Sequence, residues 1–545
     1  MSTWAAPAAA EADAPAAAQP PEGPAVAAGL KENTSLTALL LSNNAITHEA
    51  LCALARGFAL QGKLVELDLS VNPLNNSPQP QLAAADGEAG GGGGAWWLAD
   101  EDDAWRWPAA IKTFGAALAR LPTLRRLQVQ YNEAGAGLGR SVAAALGGGG
   151  DAPSGDATAT ASPAAPPRKG RGWGGLLQVN LQGSQLASGG AEALFRALGG
   201  PLGGPELLNV EGAIGSRARA ALPALWEALG RPAYQCAPLQ RLNLGFNQLG
   251  AAEATQLSGA LRTNAWLLEL DLGSNALDAE AVAELCGGLE ENTRLQTLTL
   301  NFCEVGAAGA RSLSELLARR ECGLTDLRLD GCGLGPKGAE ALAAALKSDA
   351  AKLRSLRLEC NRLGDEGIGA LASALGFNLT LRALHLGCNE LSERSCGALA
   401  SGLALNSTLH VLDLSDNAIG ARGLRALLEG VRTASPQSLT ALDLASCGLG
   451  DAGCEPLALE LATNPTLRFV RVAANEIRAA GGRALADAVE TSLCSSLLLD
   501  ASRNPAMVYH DVVRLRIANN ARRSGAGENP LDGARGKAPD QAYIA

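Results

Sequence analysis

Apolar and polar positions recur along most of the chain in a fixed order. The repeating unit is Leu-x-x-Leu-x-Leu-x-x-Asn-x-Leu, and one clear copy is formed by Leu239, Leu242, Leu244, Asn247 and Leu249. The Leu-x-Leu part has a period of two, which predicts a short strand with its leucines on one face. The stretch that follows, such as residues 338–346, has Ala and Leu at helical spacing and predicts a helix with an apolar stripe.

The unit is found fifteen times along the chain. Thirteen copies are clear, and they begin at residues 36, 64, 124, 176, 239, 267, 295, 324, 353, 381, 409, 439 and 467. Two weaker copies begin at Pro205 and Ser496. From residue 239 onward, successive copies are 28 to 30 residues apart. This regularity predicts a repeat solenoid rather than a series of unrelated domains.

Stacking such units predicts an α/β solenoid that curves into a horseshoe. Neighbouring parallel strands lie about 4.8 Å apart, whereas packed helices need about 8–10 Å. The strands are therefore expected on the concave face and the helices on the convex face. The Asn of each unit is expected to turn the chain after the strand, because its side-chain amide can bond backbone groups of the loop.

The length of the unit and one substitution in it resemble a known class of repeats. Units of 28–29 residues with a full helix, and Cys in the Asn position at Cys303, Cys332 and Cys447, are similar to the ribonuclease-inhibitor-like leucine-rich repeats. The resemblance covers residues 30–520 and implies the fold. It does not imply one function, because the class includes ribonuclease inhibitor, the Ran GTPase-activating protein, the repeat domains of NOD-like receptors and scaffold subunits of cilia and the cytoskeleton.

The two ends of the chain differ from the repeats in composition. Residues 1–28 are rich in Ala and Pro, and they are predicted to form a disordered tail, as are residues 521–545. The solenoid is accordingly predicted over residues 29–520. Apolar positions within residues 508–517 predict a helix that covers the last strand, as the terminal repeat of a solenoid requires.

Two insertions lengthen the early repeats, near residues 75–108 and 147–173. The first holds Trp96, Trp97, Trp105 and Trp107 around an acidic run. We interpret it as a flap over helix surface, with a short docking motif as the alternative. The second ends in a few basic residues and is interpreted as a solvated linker.

The charge balance and the cysteines limit the compartments and partners. The formal net charge is −10, which disfavours nucleic acid and anionic membrane as partners because both attract a basic surface. No apolar run has the length of a membrane span, and the N-terminal residues lack the features of a leader. The 12 cysteines include no Cys-x-x-Cys pair and are predicted to be reduced thiols. We expect a monomeric cytoplasmic protein, with the nucleus, the cilium and the cytoskeleton left open.

The sequence contains no motif that predicts catalysis or a cofactor. A phosphate-binding Gly-x-x-x-x-Gly-Lys-Ser/Thr loop is absent. Gly-x-Gly-x-x-Gly occurs, as at Gly333, but it follows from the loop that the repeats share, and we do not expect a dinucleotide there. Cys360 and Cys388, near His385, occupy equal positions of adjacent units and are interpreted as a structural thiol pair rather than a metal site. We expect no catalytic residue, cofactor or metal.

The remaining candidate is the predicted concave face, where Arg and aromatic side chains are surrounded by acids. Such a composition is typical of the centres of protein interfaces. The predicted protein-binding residues are Phe246, Phe302, Arg328, Asp330, Arg357, Glu359, His385, Asp413 and Arg471. Phe302, Arg328 and Arg357 are expected near the centre of the interface. We therefore predict a non-catalytic scaffold or regulator that binds a protein partner, whose identity the sequence does not give.

Two alternatives remain open at this stage. One is a GTPase-activating protein resembling the Ran activator, although the strongly acidic tail of that family is missing after residue 505. The other is a structural subunit of a cytoskeletal or ciliary assembly, which no sequence feature separates from the scaffold hypothesis.

Overall fold

The computed structural model describes residues 3–5, parts of 30–72 and 114–143, 176–198, most of 205–231, 239–434, 437–508 and most of 510–519. Both predicted insertions and the predicted tail 521–545 lie outside the described residues. Among the described residues, no helix combines the length and the apolar composition that a membrane crossing needs. The chain divides into two compact units, which are treated separately below.

Unit 1 comprises residues 1–247 and 263–267, and unit 2 comprises residues 248–262 and 268–545. The strands of unit 1 are β1 (Thr3–Ala5), β2 (Ala38–Leu40), β3 (Glu66–Asp68), β4 (Arg126–Gln128), β5 (Gln178–Asn180), β6 (Leu207–Asn209) and β7 (Arg241–Asn243). Those of unit 2 are β8 (Glu269–Asp271), β9 (Thr297–Thr299), β10 (Asp326–Arg328), β11 (Ser355–Arg357), β12 (Ala383–His385), β13 (Val411–Asp413), β14 (Ala441–Asp443), β15 (Phe469–Arg471) and β16 (Leu498–Asp500). Within each unit, consecutive strands pair in parallel.

Helices follow the strands along the chain. Unit 1 contains α1 (Ser188–Leu198) and α2 (Leu222–Gly230), the latter preceded by a 3₁₀ turn at Arg219–Ala221. Next come α3 (Ala251–Thr263), α4 (Ala279–Leu289), α5 (Gly306–Leu317), α6 (Gly335–Leu346), α7 (Gly364–Leu375), α8 (Glu393–Leu405), α9 (Gly420–Thr433), α10 (Gly450–Thr463) and α11 (Ala479–Thr491). From α4 to α11, each helix packs against the next one.

The fifteen predicted repeats are confirmed. Each of the strands β2 to β16 begins two residues after the start of one predicted unit, including the two weak units at Pro205 and Ser496. The strand leucines form the core, as illustrated by Leu356 and Leu384, which are 0% exposed. The structure is thus an α/β leucine-rich repeat solenoid in its local architecture, with one strand and, in unit 2, one full helix per repeat.

The Asn that follows most strands bonds backbone groups of its loop, as predicted, and it also links neighbouring repeats. Asn361 is 1% exposed, and its Nδ2 donates to the carbonyl oxygens of Leu329, at 2.7 Å, and Glu359, at 3.1 Å. Its Oδ1 accepts the backbone N–H of Cys332, at 2.9 Å. Where Cys replaces Asn, the thiol still donates to a carbonyl, as Cys332 does to Leu300 at 3.1 Å. The buried loops therefore keep their backbone groups paired.

A second asparagine column, which the sequence analysis missed, lies at the other end of the repeat. Asn378 precedes β12, and its Nδ2 donates to the carbonyl of Leu346, the last residue of α6, at 2.8 Å. Its Oδ1 accepts the backbone N–H of Leu381, at 2.7 Å. The last carbonyls of a helix have no partner inside the helix. An asparagine side chain of one repeat therefore provides a hydrogen-bond donor for the last helix carbonyl of the preceding repeat.

Small residues let adjacent helices approach closely. At Gly402 of α8, a Cβ atom would lie 2.3 Å from the carbonyl oxygen of Ala372 in α7. At Gly430 of α9, it would lie 2.4 Å from Ala400 in α8. Both contacts require glycine, since any larger side chain would push the repeats apart.

The first strand of unit 1 was not predicted. Within the predicted tail 1–28, Thr3–Ala5 pair in parallel with β2, and the rest of this segment lies outside the described residues. An unpaired strand presents free N–H and C=O groups, and Thr and Trp are residues with high strand propensity. The edge of β2 can therefore take up this short segment, which composition alone assigned to disorder.

At the end of unit 2, residues within 510–519 are helical and cover the last repeat. Leu515 is 5% exposed, and the guanidinium of Arg514 bonds the carboxylates of Asp487 and Glu490 on α11. The side-chain amide of Asn519 pairs with β16, accepting from the N–H of Leu499 at 3.0 Å and donating to its carbonyl at 2.8 Å. This amide bonds the strand as a further peptide group would.

Candidate interaction surface on unit 2

The strand registers of unit 2 align the residues that follow the middle apolar position of each strand. We call these residues the central row: Asp271, Thr299, Arg328, Arg357, His385, Asp413, Asp443, Arg471 and Asp500. Adjacent parallel strands lie about 4.8 Å apart, which is within the reach of an arginine side chain. Charged groups from different repeats can therefore meet along the row. The face that carries the row is called the strand face below.

Arg357 is the centre of a buried ion-pair network. Its Nε lies 2.9 Å from Oδ2 of Asp330, and its Nη2 lies 2.6 Å from Oε1 of Glu359. The backbone N–H of Glu359 also donates to Oδ1 of Asp330, and Asn301 donates to Oδ2 of the same carboxylate. Arg357 is 8% exposed and Asp330 is 5% exposed. Neither residue is a free surface charge.

A second network lies toward the C-terminal repeats. The Nη1 atom of Arg471 is 2.9 Å from Oδ2 of Asp443, and its Nε is 3.2 Å from Oδ2 of Asp500. Asp443 is almost fully buried, whereas Asp500 is exposed. Arg471 therefore compensates a buried carboxylate on one side and a solvated one on the other.

His385 and Asp413 lie side by side between these two networks. Both are buried, and Nδ1 of His385 is 3.6 Å from Oδ2 of Asp413. The backbone N–H of Ser415 donates to Oδ1 of Asp413, at 2.9 Å. Burial raises the pKa of Asp413, but the His385 side chain and the Ser415 N–H more than offset it, so the net shift of the pKa is downward. The carboxylate is thus held in its charged form.

Phe302 and Arg328 remain available at the surface. Phe302 follows β9 and is 59% exposed, and its ring lies over Gly331, where a Cβ would be 2.5 Å from the ring. Arg328 is half-buried and, in the part of the chain that the structure describes, has no ion-pair partner. Its charge acts on Asp271, whose pKa is raised by burial and lowered in part by the Gly273 N–H and by Arg328.

The backbone at Phe302 is held in a conformation that glycine prefers. Its φ is +58°. The same position has a positive φ in most other repeats, with bulky residues at Val71 (+55°), Tyr131 (+53°) and Phe246 (+55°) and smaller ones such as Ser274 (+55°) elsewhere. Positive φ is uncommon for non-glycine residues and is a genuine outlier for a β-branched or bulky side chain. All four bulky side chains are nevertheless about half exposed or more. Bulky apolar groups are therefore displayed at positions where a smaller residue would be easier to accommodate.

Phe469 has a different role from Phe302. It is 5% exposed and packs on the strand face with Val411 and Ala441, while Ala383 and Leu498 partly cover the same cluster. The C-terminal half of the strand face thus carries a small apolar layer of its own. The sequence pattern alone did not show that Phe469 is buried whereas Phe302 is exposed.

The structure divides the predicted protein-binding residues into three sets. Phe302 and Arg328 are accessible in unit 2, and Phe246 is 48% exposed in unit 1. Glu359 and Arg471 are partly buried within the ion pairs. The buried members are Asp330, Arg357, His385 and Asp413. The expectation that Arg357 is an accessible anchor is corrected, because two carboxylates of neighbouring positions bind its guanidinium and cover it.

The cysteines of the described residues are free thiols. Cys360 and Cys388 are both exposed and occupy equal positions of adjacent repeats. Burial raises the pKa of Cys360 to about 12, and the neighbouring Cys388 and Glu359 add to the increase. In the Asn column, burial raises the pKa of Cys303 to about 11 and that of Cys332 to about 12. These thiols remain protonated at neutral pH and are weak nucleophiles.

Comparisons with known proteins agree with the repeat architecture. Six segments match the family profile described as Leucine Rich repeat, namely residues 263–286, 291–314, 323–343, 350–372, 405–428 and 435–458. No curated protein matches the chain.

Many solved structures are similar to it, and three of them serve as examples. One is the yeast Rad7–Elc1 complex, at 17% identity over 61% of this chain and 78% of the other, with a TM-score of 0.34. Another is the actin-binding site 2 of leiomodin-1, at 14% identity over 35% and 94%, with a TM-score of 0.24. The third is the TLR13–ssRNA13 complex, at 17% identity over 86% and 50%, with a TM-score of 0.39. At these values the similarities assign no function.

Proposed function

Because the chain is a leucine-rich repeat protein, we propose that it is a non-catalytic scaffold that binds a partner protein on the strand face of unit 2. The observation that carries the proposal is the pair formed by the exposed Phe302 and the half-buried Arg328. Phe302 is 59% exposed at a positive φ, and Arg328 has no ion-pair partner among the described residues. Aromatic and arginine side chains are the types most enriched in interface hot spots.

The buried ion pairs beside this pair support it as a rigid anchor site. Arg357 is fixed by Asp330 and Glu359, so the neighbouring strands present Phe302 and Arg328 on a backbone that binding does not need to order. A partner that binds a preorganised surface loses less conformational entropy. A carboxylate of the partner facing Arg328 and an apolar side chain covering Phe302 would match the chemistry of the pair.

The test is a capture experiment with a double variant, Phe302→Ala with Arg328→Ala. Hot-spot residues commonly cost about 2 kcal/mol or more on truncation, and this corresponds to roughly a thirtyfold loss of affinity. Immobilised wild-type protein is expected to capture a reproducible set of proteins, identified by mass spectrometry, which the double variant loses. Equal circular dichroism spectra would show that both proteins are folded, since neither side chain is part of the leucine core.

The chain offers a matched control on its helix side. Phe377 is 71% exposed and Arg311 is exposed on α5, so Phe377→Ala with Arg311→Ala removes the same two residue types from another surface. This control is expected to retain the captured set. If the control loses the set while Phe302→Ala with Arg328→Ala retains it, the partner binds elsewhere and the proposal is wrong.

A further inference from the structure

Three side chains with metal-binding atoms meet on the strand face. Glu359 follows β11, His385 ends β12 and Asp413 ends β13, so three adjacent repeats each contribute one residue. One ligand atom of each residue lies within 4.8 Å of the other two. Within the described residues, this is the one such group of three.

One ring nitrogen of the buried imidazole, Nδ1, lacks a hydrogen-bond partner. His385 is 3% exposed, and its Nδ1 atom makes no hydrogen bond. The nearest acidic atom, Oδ2 of Asp413, is 3.6 Å away, which is too long for a hydrogen bond. Two ligand atoms on one tetrahedral zinc ion lie about 3.4 Å apart, given Zn–N and Zn–O bonds of about 2.0–2.2 Å. The spacing suits an ion shared by the two side chains.

The charges around His385 also favour a bound cation. The carboxylates of Asp330, Glu359 and Asp413 are accompanied by one guanidinium, that of Arg357. Asp413 is 3% exposed, and a cation beside a buried carboxylate interacts with it more strongly than at the solvated surface.

We propose that Glu359, His385 and Asp413 bind a divalent transition-metal ion, for which Zn²⁺ is the best fit. One imidazole nitrogen and two carboxylates form a ligand set that zinc accepts, and they leave the fourth tetrahedral position for water or for a group of a bound molecule. The Ser415 N–H holds Oδ1 of Asp413 and leaves Oδ2 directed toward His385. Arg357 contacts Oε1 of Glu359, so ligation through the second carboxylate oxygen preserves this ion pair. The site does not depend on the proposed partner binding.

The test is a calorimetric titration of the chelator-treated full chain with zinc chloride. The wild type is expected to bind one ion per chain with these three ligands. His385→Gln, Asp413→Asn and Glu359→Gln each remove one ligand, and the Kd is expected to rise at least about tenfold in each. Glu359 is partly exposed, and Glu359→Gln keeps a hydrogen-bonding group. This variant is therefore expected to fold even if the substitutions of the buried residues His385 and Asp413 prevent folding.

Two controls separate this site from other zinc-binding groups. His510 is exposed and its Nδ1 lies 3.7 Å from Asp511, so His510→Gln removes a comparable pair at the surface and is expected to leave the Kd unchanged. Cys360→Ser with Cys388→Ser is also expected to bind normally. The wild type loaded with Co²⁺ is expected to show d–d absorption without a thiolate-to-cobalt charge-transfer band.

Three results would overturn the proposal. The first is that the wild type does not bind zinc. The second is that binding is unchanged in the folded His385, Asp413 and Glu359 variants, and the third is that the Cys360 and Cys388 substitutions abolish binding.

Discussion

Replacing Asn361 by alanine is expected to destabilise its repeat by about 3–5 kcal/mol, because buried backbone groups lose their partners. The side chain makes a 2.7 Å bond to Leu329 and a 2.9 Å bond from Cys332, together with longer bonds to Glu359, at 3.1 Å, and from Leu334, at 3.3 Å. An orphaned buried group costs about 1–3 kcal/mol. The two short bonds supply most of the expected loss, and the two longer bonds add less.

The assay combines urea denaturation with hydrogen exchange measured by mass spectrometry. Repeats contact mainly their neighbours, so amide exchange is expected to accelerate around residues 329–363 first and the urea midpoint to fall. Asn361→Cys is expected to be intermediate, because the native Cys332 donates to Leu300 but a thiol does not replace the Oδ1 acceptor. Glu340→Ala on the exposed side of α6 is the control, with a change within about 0.5 kcal/mol. A midpoint and exchange pattern equal to wild type in Asn361→Ala would refute the role of the asparagine column.

Three further predictions concern the core, the ion pairs and pH. Leu356→Asp is expected to unfold several repeats, because the side chain is 0% exposed and a buried unpaired charge costs several kcal/mol; an unchanged melting curve by circular dichroism would contradict the fold. Arg357→Ala is expected to lower the free energy of unfolding by about 3 kcal/mol, because it leaves Asp330 buried without its counter-charge. The double variant Arg357→Met with Asp330→Asn should recover part of this loss, and equal stability of the two variants in urea would argue against the network. For Asp365, burial raises the pKa, but the hydrogen bonds from Ser392 and Ser395 lower it by a larger amount, so the pKa in the folded protein is depressed. The carboxylate therefore stabilises the fold at pH values above the unfolded pKa of about 3.9. The stability difference between wild type and Asp365→Asn should be constant from pH 8 to about 5 and shrink as the pH falls through the folded value; a difference that grows on acidification would show that the sign is wrong.

The repeat architecture could be predicted because its signal is local and repeated. Each strand needs only the Leu-x-Leu alternation. Where the pattern of one unit is weak, the constant spacing of the neighbouring units still locates its strand. Even the weak unit that begins at Ser496, which has Ala501 in place of a leucine, contains a strand that begins at Leu498. The loop role of the Asn column was predictable for the same reason, since one residue type recurs at one position.

The burial of the strand-face side chains could not be predicted in the same way. Arg357 appeared as an outward position of its own strand, but its exposure is decided by Asp330 in the preceding repeat, 27 residues away. The proposed group of Glu359, His385 and Asp413 was not predicted, because His385 was considered only with Cys360 and Cys388 and the three residues come from two different positions of the repeat. The second asparagine column was detectable in the sequence, since Asn264, Asn292, Asn378, Asn406 and Asn464 each precede a repeat by three residues.

The amide of Asn519 has a consequence for how this protein avoids self-association. A bare terminal strand is a template on which another chain can add a strand, which is the first step toward domain swapping and fibril growth. With the N–H and the carbonyl of Leu499 both occupied, an incoming strand would have to displace Asn519 and the helical residues that carry it. A protein truncated before residue 519 is therefore expected to self-associate more readily than the full chain.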